Sequence, residues 1–173
     1  MNNGNEELIV REDQGITTDG FELIFSHETG GKIYRHTLVD TFGKDHHEIL
    51  EVSIDKASIG CIVHILPILN IDDPLRDIIF KGVKDRKCPD LKIDGRFTEI
   101  KTPTGTLHPN KIGNNIRFAH GQANDVIIRL QEEFDVTRLK SIAKGRFAIH
   151  TTLNTLEFKM NGVYYCFKRS DFV

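Results

Sequence analysis

Apolar and polar residues alternate on both sides of Asp94-Gly95, and this pattern predicts a β-hairpin. An Asp-Gly pair between two such runs is a strong signal for a two-residue type I′ turn. Counting outward from the turn places Asp90 opposite Glu99, with Lys101 on the same face as Glu99 because side chains alternate along a strand. Like charges at opposed positions are destabilising, so the hairpin predicts a cation between the two acids.

The chain before this hairpin predicts a helix followed by a buried strand. Apolar positions between residues 45 and 58 indicate the helix, with Asp45 as its N-cap. The apolar run from Cys61 predicts a buried strand that Pro67 ends. Residues 32–41 are a strand or part of a hairpin. The polar start predicts an N-terminal extension over residues 1–28 and a single domain over residues 29–173.

The chain after the hairpin predicts a helix over residues 110–123, with Pro109 in its first turn. One stripe of this helix has the apolar spacing of a core face; its members are Ile112, Ile116, Ala119 and Ala123. A second stripe, one position earlier, is mostly polar; its members are Lys111, Asn115, Phe118 and Gln122.

Three further elements complete the predicted fold. A mostly apolar run at residues 125–130 is a strand, and residues 137–144 are a helix capped by Thr137 and closed by Gly145. The Asn161-Gly162 pair indicates a final hairpin. The expected class is α/β, with a mixed central sheet flanked by helices and a C-terminal β-hairpin.

Composition favours a globular protein that acts in the cytosol. The chain has 173 residues, of which 39% are hydrophobic, and no apolar run approaches the roughly 20 residues of a membrane span. The three cysteines, at positions 61, 88 and 166, form no CxxC pair, which argues against a disulfide framework and a zinc site. We expect mostly buried thiols, and no membrane partner.

Charge is distributed unevenly along the chain. The net charge is −2, yet residues 81–117 carry nine Lys or Arg against four Asp or Glu. This basic segment surrounds the acidic pair of the hairpin. It is either a field that attracts phosphates or an ordinary solvated face.

The sequence Pro89-Asp90, eight residues, then Glu99-Ile100-Lys101 resembles the PD-(D/E)XK signature of restriction-endonuclease-like nucleases. The resemblance implies a restriction-endonuclease-like core and metal-dependent phosphodiester hydrolysis. It implies that Asp90 and Glu99 bind a divalent metal, Mg²⁺ or Mn²⁺, with help from the Ile100 carbonyl. Lys101 would stabilise the attacking water or the transition state. Hard oxygen ligands suit Mg²⁺, and a bound metal activates water.

Relatives with this signature often add an acid from the first helix. Glu51 is the preferred candidate because it lies nearer the middle of the helix, and Glu48 is the alternative. Both are equally well explained as surface acids. The resemblance therefore leaves the third carboxylate open.

The segment EIKTPTGTLHPNKIGNNIRFAHGQANDVIIRL resembles more closely the C-terminal toxin nucleases of contact-dependent growth inhibition systems, many of which cut tRNA. This resemblance implies RNA, and tRNA in particular, as a substrate favoured over DNA. It also implies a cognate immunity protein, and action in the cytosol after delivery into a target cell. The implied substrate contacts are Thr102, Lys111, Asn115 and Gln122; an ordinary hydrated helix face is the alternative for the helical positions.

Three other functions compete with this interpretation. A DNA endonuclease of a mobile element or phage would use the same site, because DNA and RNA differ mainly in the 2′-hydroxyl and in groove shape. A non-catalytic nucleic-acid-binding or structural module would keep only the fold. A metal-free ribonuclease would instead use His108 and His120 as general acid and base.

Overall fold

A computed structural model describes residues 17–84 and 86–172, which fall into two compact units. The first unit comprises residues 17–82 and 90–95, and the second comprises 83–84, 86–89 and 96–172. Most of the predicted N-terminal extension, residues 1–16, lies outside the described residues. Within the remainder of that extension, a strand begins at Phe21.

The first unit combines short strands with two helices. In chain order the described elements are β1 (Phe21–Ser26), β2 (Lys32–His36), α1 (His46–Ser58), β3 (Ile62–Ile65), α2 (Arg76–Ile79) and β4 (Leu91–Ile93). Strand β2 pairs antiparallel with β1 and parallel with β3, and β3 pairs antiparallel with β4. Helix α1 begins after Asp45 as predicted, although the Asp45 side chain makes no capping hydrogen bond within the described residues.

Gly31, the residue before β2, lies directly against the last turn of α1. A Cβ atom built on Gly31 would lie 1.7 Å from the carbonyl oxygen of Ala57, which belongs to the backbone of the helix. The side chains of Val52 and Ala57 are fully buried on the same helix. The absence of a side chain at position 31 therefore lets α1 approach the sheet.

His64 of β3 is part of an aromatic cluster in the first unit. Its ring stacks on Tyr34, with centroids 5.1 Å apart and an interplanar angle of 17°, and it meets Phe21 edge-on at 5.0 Å. Burial lowers the pKa of His64, and the Lys92 charge lowers it further while the Asp19 charge opposes both. The folded protein therefore holds this imidazole in its neutral form more strongly than the unfolded chain does.

We expect His64→Phe to reduce the slope of the free energy of unfolding against pH on the acid side. Because the folded pKa lies below the ordinary value of about 6.5, the unfolded chain binds the proton more readily, and the free energy of unfolding falls as the pH drops below about 6.5. One such group changes the slope by at most about 1.4 kcal/mol per pH unit. Urea denaturation between pH 5 and 8 measures the slope.

His47→Gln on α1 is the control for the pH profile, because His47 is exposed. This variant should keep the wild-type slope. An unchanged slope in His64→Phe would show that other histidines account for the acid sensitivity.

The second unit carries the larger part of the predicted α/β pattern. In chain order the described elements are β5 (Arg96–Lys101), α3 (Pro109–His120), β6 (Asp125–Leu130), α4 (Val136–Ile149), β7 (Thr155–Met160), β8 (Val163–Lys168) and a 3₁₀ turn (Arg169–Asp171). Strand β6 pairs parallel with β5 and with β7, and β7 pairs antiparallel with β8. The mixed α/β class and the C-terminal hairpin are confirmed. A restriction-endonuclease-like core stays a prediction.

The core of this unit forms between α3, α4 and β6. All four members of the predicted apolar stripe of α3 are buried, with Ile112, Ile116 and Ala119 fully so and Ala123 at 7% exposure. Ile112, Ile116 and Ala119 share one cluster with side chains of β6 and α4. Helix α3 ends at His120, so the predicted end at residue 123 is wrong and Ala123 lies past the helix. The hydrophobic spacing of α3 therefore identified its buried face correctly.

Helix α4 is longer than the sequence predicted. The predicted cap Thr137 is wrong, because Asp135 caps the helix and its Oδ1 accepts a hydrogen bond of 2.8 Å from the Arg138 amide. The predicted end at Gly145 is also wrong, since Gly145 lies inside the helix. Leu139, Ala143 and Phe147 are buried at four-residue intervals, so the core-facing stripe continues past the glycine.

Arg169 completes the C-terminal end of α4. Its guanidinium donates hydrogen bonds to the carbonyl oxygens of Phe147 at 2.9 Å and Leu153 at 3.0 Å, and also to that of His150. The last carbonyls of a helix have no partner within the helix. Charged donors satisfy them well, so Arg169 fixes the point at which α4 ends.

The cysteines are less buried than the sequence suggested. Cys61 and Cys88 are half-buried and Cys166 is exposed, so the expectation of mostly buried thiols is wrong. Cys166 lies on β8, where it is exposed together with Val163 and Lys168. No disulfide joins any of the three.

Candidate active site

The turn at Asp94-Gly95 has the conformation that the sequence predicted. Asp94 has φ of 46° and Gly95 has φ of 83°. A type I′ turn requires positive φ at both central residues, which Asp tolerates better than most residues and Gly adopts freely. The turn at the head of β5 is therefore confirmed.

Glu99 and Lys101 form a close ion pair on β5. The Lys101 Nζ lies 2.6 Å from Glu99 Oε1, and the Glu99 side chain is only 4% exposed, whereas that of Lys101 is 36% exposed. A buried carboxylate is costly unless a cation and hydrogen bonds compensate it. The prediction that these two residues share one face of the strand is confirmed. On this face the Lys101 ammonium compensates the buried negative charge of Glu99.

Pairing between β5 and β6 holds this ion pair in place. Glu99 lies opposite Val126 and Lys101 lies opposite Ile128 in a parallel register. Ile100, between the two charged residues, is 6% exposed. Because alternate side chains of a strand point to opposite faces, packing of Ile100 on one side orients Glu99 and Lys101 on the other.

Asp125 is a second buried acid that the sequence analysis did not identify. Its Oδ1 accepts a hydrogen bond of 2.7 Å from the Thr155 hydroxyl, and its Oδ2 lies 3.4 Å from Arg96 Nε. These contacts link the starts of β5, β6 and β7. The available signal in the sequence was an acid at the start of an apolar strand. The contacts of Asp125 indicate that its role is structural.

Arg129 lies beside the predicted substrate contact Thr102. The Arg129 Nη1 donates a hydrogen bond of 3.1 Å to Thr102 Oγ1, directly after the end of β5. In the sequence, Arg129 is part of the mostly apolar run DVIIRL. The available signal was a single charged residue within an otherwise apolar strand. The fold places this arginine next to Thr102.

The polar stripe of α3 is partly held by contacts within the chain. The Lys111 ammonium donates to the Thr104 carbonyl at 2.7 Å, which ties the loop after β5 to the helix. The side-chain Nδ2 of Asn115 donates a hydrogen bond of 3.0 Å to the Lys111 carbonyl oxygen. Gln122 lies past the end of α3 and is half-buried. Of these predicted substrate contacts, Lys111 and Asn115 therefore lie on the helix, whereas Gln122 does not.

The remaining predicted ligands lie in the first unit. Asp90 is half-buried before β4, and its carbonyl accepts a hydrogen bond of 3.0 Å from the Leu66 amide. Glu48 occupies the first turn of α1 and Glu51 the second, and both are half-buried. The choice between Glu48 and Glu51 stays open.

A metal centre built from three or more side chains is not present in the described part of the chain. No group of three His, Cys, Asp or Glu side chains among those residues is arranged to hold an ion. A magnesium centre needs only one or two carboxylates, with water and substrate phosphate completing the shell. The metal site inferred from resemblance therefore stays a prediction.

The histidine pair of the metal-free alternative is wrong. His108 is the N-cap of α3, where its Nδ1 accepts from the Lys111 amide at 3.2 Å, whereas His120 is the last residue of that helix. A rise of 1.5 Å per residue separates them by roughly 18 Å, too far to flank one phosphate. The positions of the two histidines at opposite ends of one helix therefore exclude this pair.

His120 instead pairs with His150, with ring centroids 5.0 Å apart. Its Nδ1 contacts the Ala123 carbonyl and its Nε2 contacts the Thr152 hydroxyl. Burial lowers the pKa of both imidazoles, and nearby cations lower them further. Burial therefore favours the neutral form of these two imidazoles.

Comparison with known proteins bears on the second unit in particular. Residues 87–163 match the family model of the contact-dependent growth inhibition CdiA C-terminal domain. This part of the chain is similar to that family. The match covers just under half of the chain and includes Glu99, Lys101 and the whole of α3. It confirms the resemblance to these C-terminal domains, while the PD-(D/E)XK relationship stays a prediction.

One solved structure also aligns with the chain, a CdiA-CT/CdiI toxin and immunity complex from Burkholderia pseudomallei. The alignment has 14% sequence identity and a TM-score of 0.47, and it covers 75% of this chain and 88% of that one. No curated protein matches the chain. Separately, no helix of the described residues has the length and apolar character to cross a bilayer.

Proposed function

We propose that this chain is a toxin-like, metal-dependent nuclease that hydrolyses phosphodiester bonds in RNA, with tRNA as the favoured substrate. The observation that carries the proposal is the ion pair of Glu99 and Lys101, a buried carboxylate joined to a half-exposed ammonium on an ordered strand. The similarity of residues 87–163 to the CdiA C-terminal domain supports a toxin role.

The residues present fit a hard divalent cation. The Glu99 carboxylate offers oxygen ligands in a protected position, and burial favours a compensating positive charge there. Asp90, the Ile100 carbonyl and either Glu51 or Glu48 are the other proposed ligands, by resemblance. When bound, Mg²⁺ or Mn²⁺ would supply an activated water and neutralise charge on the scissile phosphate.

The chain's own residues would bind and orient the substrate. Lys101 would place its positive charge where negative charge develops on the phosphate, and its partly exposed ammonium can reach a bound anion. Thr102, with Arg129 beside it, would contact the neighbouring phosphate. Lys111 and Asn115 on α3, and Gln122 just past its end, would contact phosphate and sugar, which fixes register without reading base sequence.

An immunity protein is the proposed macromolecular partner besides nucleic acid. A toxin that acts in the cytosol endangers the cell that makes it, so an inhibitor is expected. Residues 81–117 are basic, and we propose an acidic complementary surface on the inhibitor. Binding of an inhibitor to another part of the chain would contradict this detail.

Removal of the metal tests the proposal directly. End-labelled total tRNA is incubated with the protein in Mg²⁺, in EDTA, and in EDTA followed by excess Mg²⁺. Cleavage should fall at least about 100-fold in EDTA and return with Mg²⁺, because a bound cation contributes several kcal/mol to the transition state.

Duplex DNA, tested in parallel, distinguishes the alternative substrate. Metal-dependent cutting of DNA rather than tRNA would indicate a DNA endonuclease. Cutting that survives EDTA would contradict the metal mechanism, and binding without cutting would favour a non-catalytic module.

A further inference from the structure

Phe118 is exposed in the middle of the otherwise polar stripe of α3. Its side chain is 61% exposed, and Lys111 and Asn115 lie on the same face by helical spacing. A single exposed apolar residue is ordinary on a protein surface. What distinguishes Phe118 is its position among the proposed phosphate and sugar contacts.

A cation lies directly over the Phe118 ring. The Cζ atom of Arg117, which is itself exposed, is 4.8 Å from the ring centroid. This distance is typical of a cation–π contact, which limits the conformations of both side chains. Planar guanidinium and aromatic groups are the two surfaces on which unpaired nucleobases stack.

The charges of α3 favour an anionic chain on this surface. The helix carries Lys111 and Arg117 and no Asp or Glu between residues 109 and 120. A nucleic acid offers phosphates to the cations and flat bases to the ring, whereas an acidic protein offers only the charge. The combination of an exposed ring and cations therefore favours single-stranded nucleic acid.

We propose that Arg117 and Phe118 form a stacking platform for an unpaired base of the substrate. The proposal rests on the proposed function and adds a requirement, namely that the bound strand has an accessible base beside the contacts of α3. Loops, bulges and single-stranded ends meet this requirement, and a continuous duplex does not. Affinity at this platform would depend little on which base is stacked.

The absence of tryptophan from the chain allows a direct test. Phe118→Trp introduces one fluorophore at the platform and keeps an aromatic surface. It is combined with Glu99→Gln, so that substrate binds without being cut. Titration with a single-stranded oligoribonucleotide should quench the tryptophan in a saturable way, and the same sequence in a duplex should quench it much less.

Phe42→Trp in the same Glu99→Gln background is the control, because Phe42 is 97% exposed in the first unit. Its fluorescence should not respond to the oligonucleotide. Poly-glutamate of equal charge is the second control, and it should not quench the tryptophan at position 118.

Affinity is measured separately by anisotropy of a labelled oligonucleotide. Phe118→Leu should weaken binding about 5- to 100-fold, because leucine is apolar but offers no ring on which a base can stack. Phe118→Trp keeps an aromatic ring and should keep the affinity. Arg117→Gln should weaken binding and reduce the slope of log affinity against log salt by about 1. The exposed position of Phe118 means that none of these variants should unfold, which circular dichroism checks.

Several outcomes would overturn the platform. If the labelled oligonucleotide binds while the tryptophan at 118 is not quenched, the platform is wrong and the nuclease proposal is unaffected. Equal quenching by duplex or by poly-glutamate would show a general anion or protein-docking surface. If no oligonucleotide binds the Glu99→Gln protein or the wild type, the proposed function fails together with the platform.

Discussion

Glu99→Gln is expected to reduce nucleic-acid cleavage by about 10²–10³-fold while leaving the fold intact. Glutamine keeps the volume of the buried side chain but removes the negative charge that would hold the metal. Lys101 loses its ion-pair partner, yet its ammonium is partly exposed and can turn to solvent. Single-turnover cleavage of labelled tRNA measures the rate, and thermal unfolding confirms the fold.

Glu133→Gln is the matched control for this prediction. Glu133 is an exposed acid of the same unit, and its Oε1 accepts a hydrogen bond of 3.0 Å from the Asn161 side chain. The control variant should cut at the wild-type rate. Full activity in Glu99→Gln would remove Glu99 from the site and with it the metal proposal.

Lys101→Met distinguishes the role of the Lys101 charge from the packing of its side chain. It keeps the aliphatic stem of the lysine and removes the ammonium 2.6 Å from Glu99. A role in stabilising developing charge predicts slower cleavage with nearly unchanged substrate affinity. A loss of affinity with an unchanged maximal rate would instead indicate that Lys101 only binds the substrate.

Gly31→Ala is expected to destabilise the protein by roughly 3 kcal/mol, at the upper end of overpacking effects. The new methyl group would lie 1.7 Å from the Ala57 carbonyl oxygen, and neither atom can rotate away because both are fixed to backbone. The last turn of α1 or the start of β2 must therefore move. Urea denaturation followed by far-ultraviolet circular dichroism measures the loss.

Gly145→Ala is the opposite case and serves as the control. Gly145 lies inside α4, and a Cβ there meets no atom of the described residues within 4 Å. Alanine should stabilise the helix by about 0.5–1 kcal/mol because it loses less backbone entropy on folding. A Gly31→Ala protein as stable as wild type would mean that α1 packs further from residue 31.

Elements with strong local signals were predicted well from the sequence. Strand β6 has the predicted bounds, and both two-residue turns have the positive φ values that their Asp-Gly and Asn-Gly pairs require. These features depend on residues a few positions apart. The same holds for the shared face of Glu99 and Lys101, which follows from strand alternation alone.

Features that depend on distant contacts were predicted poorly. In the sequence, Gly145 predicts the end of a helix. In the structure the helix continues, because burial of Phe147 and the hydrogen bonds of Arg169 stabilise it by more than the roughly 1 kcal/mol that a glycine inside a helix costs. Arg129 was missed because its partner Thr102 is 27 positions away in the chain. Asp135 and Thr137 are both good caps in sequence, and only the observed start of α4 distinguishes them.

The region of family similarity and the folding unit do not have the same limits. The similarity ends at residue 163, where β8 has only begun. A fragment cut there would lose the strand that covers β7, together with Phe172, whose ring lies 5.6 Å from Phe147. It would also lose Arg169, so the last carbonyls of α4 would face water. The region of sequence similarity is therefore smaller than the folding unit, and any fragment of this region that is to fold has to include the β8 strand and the arginine beyond it.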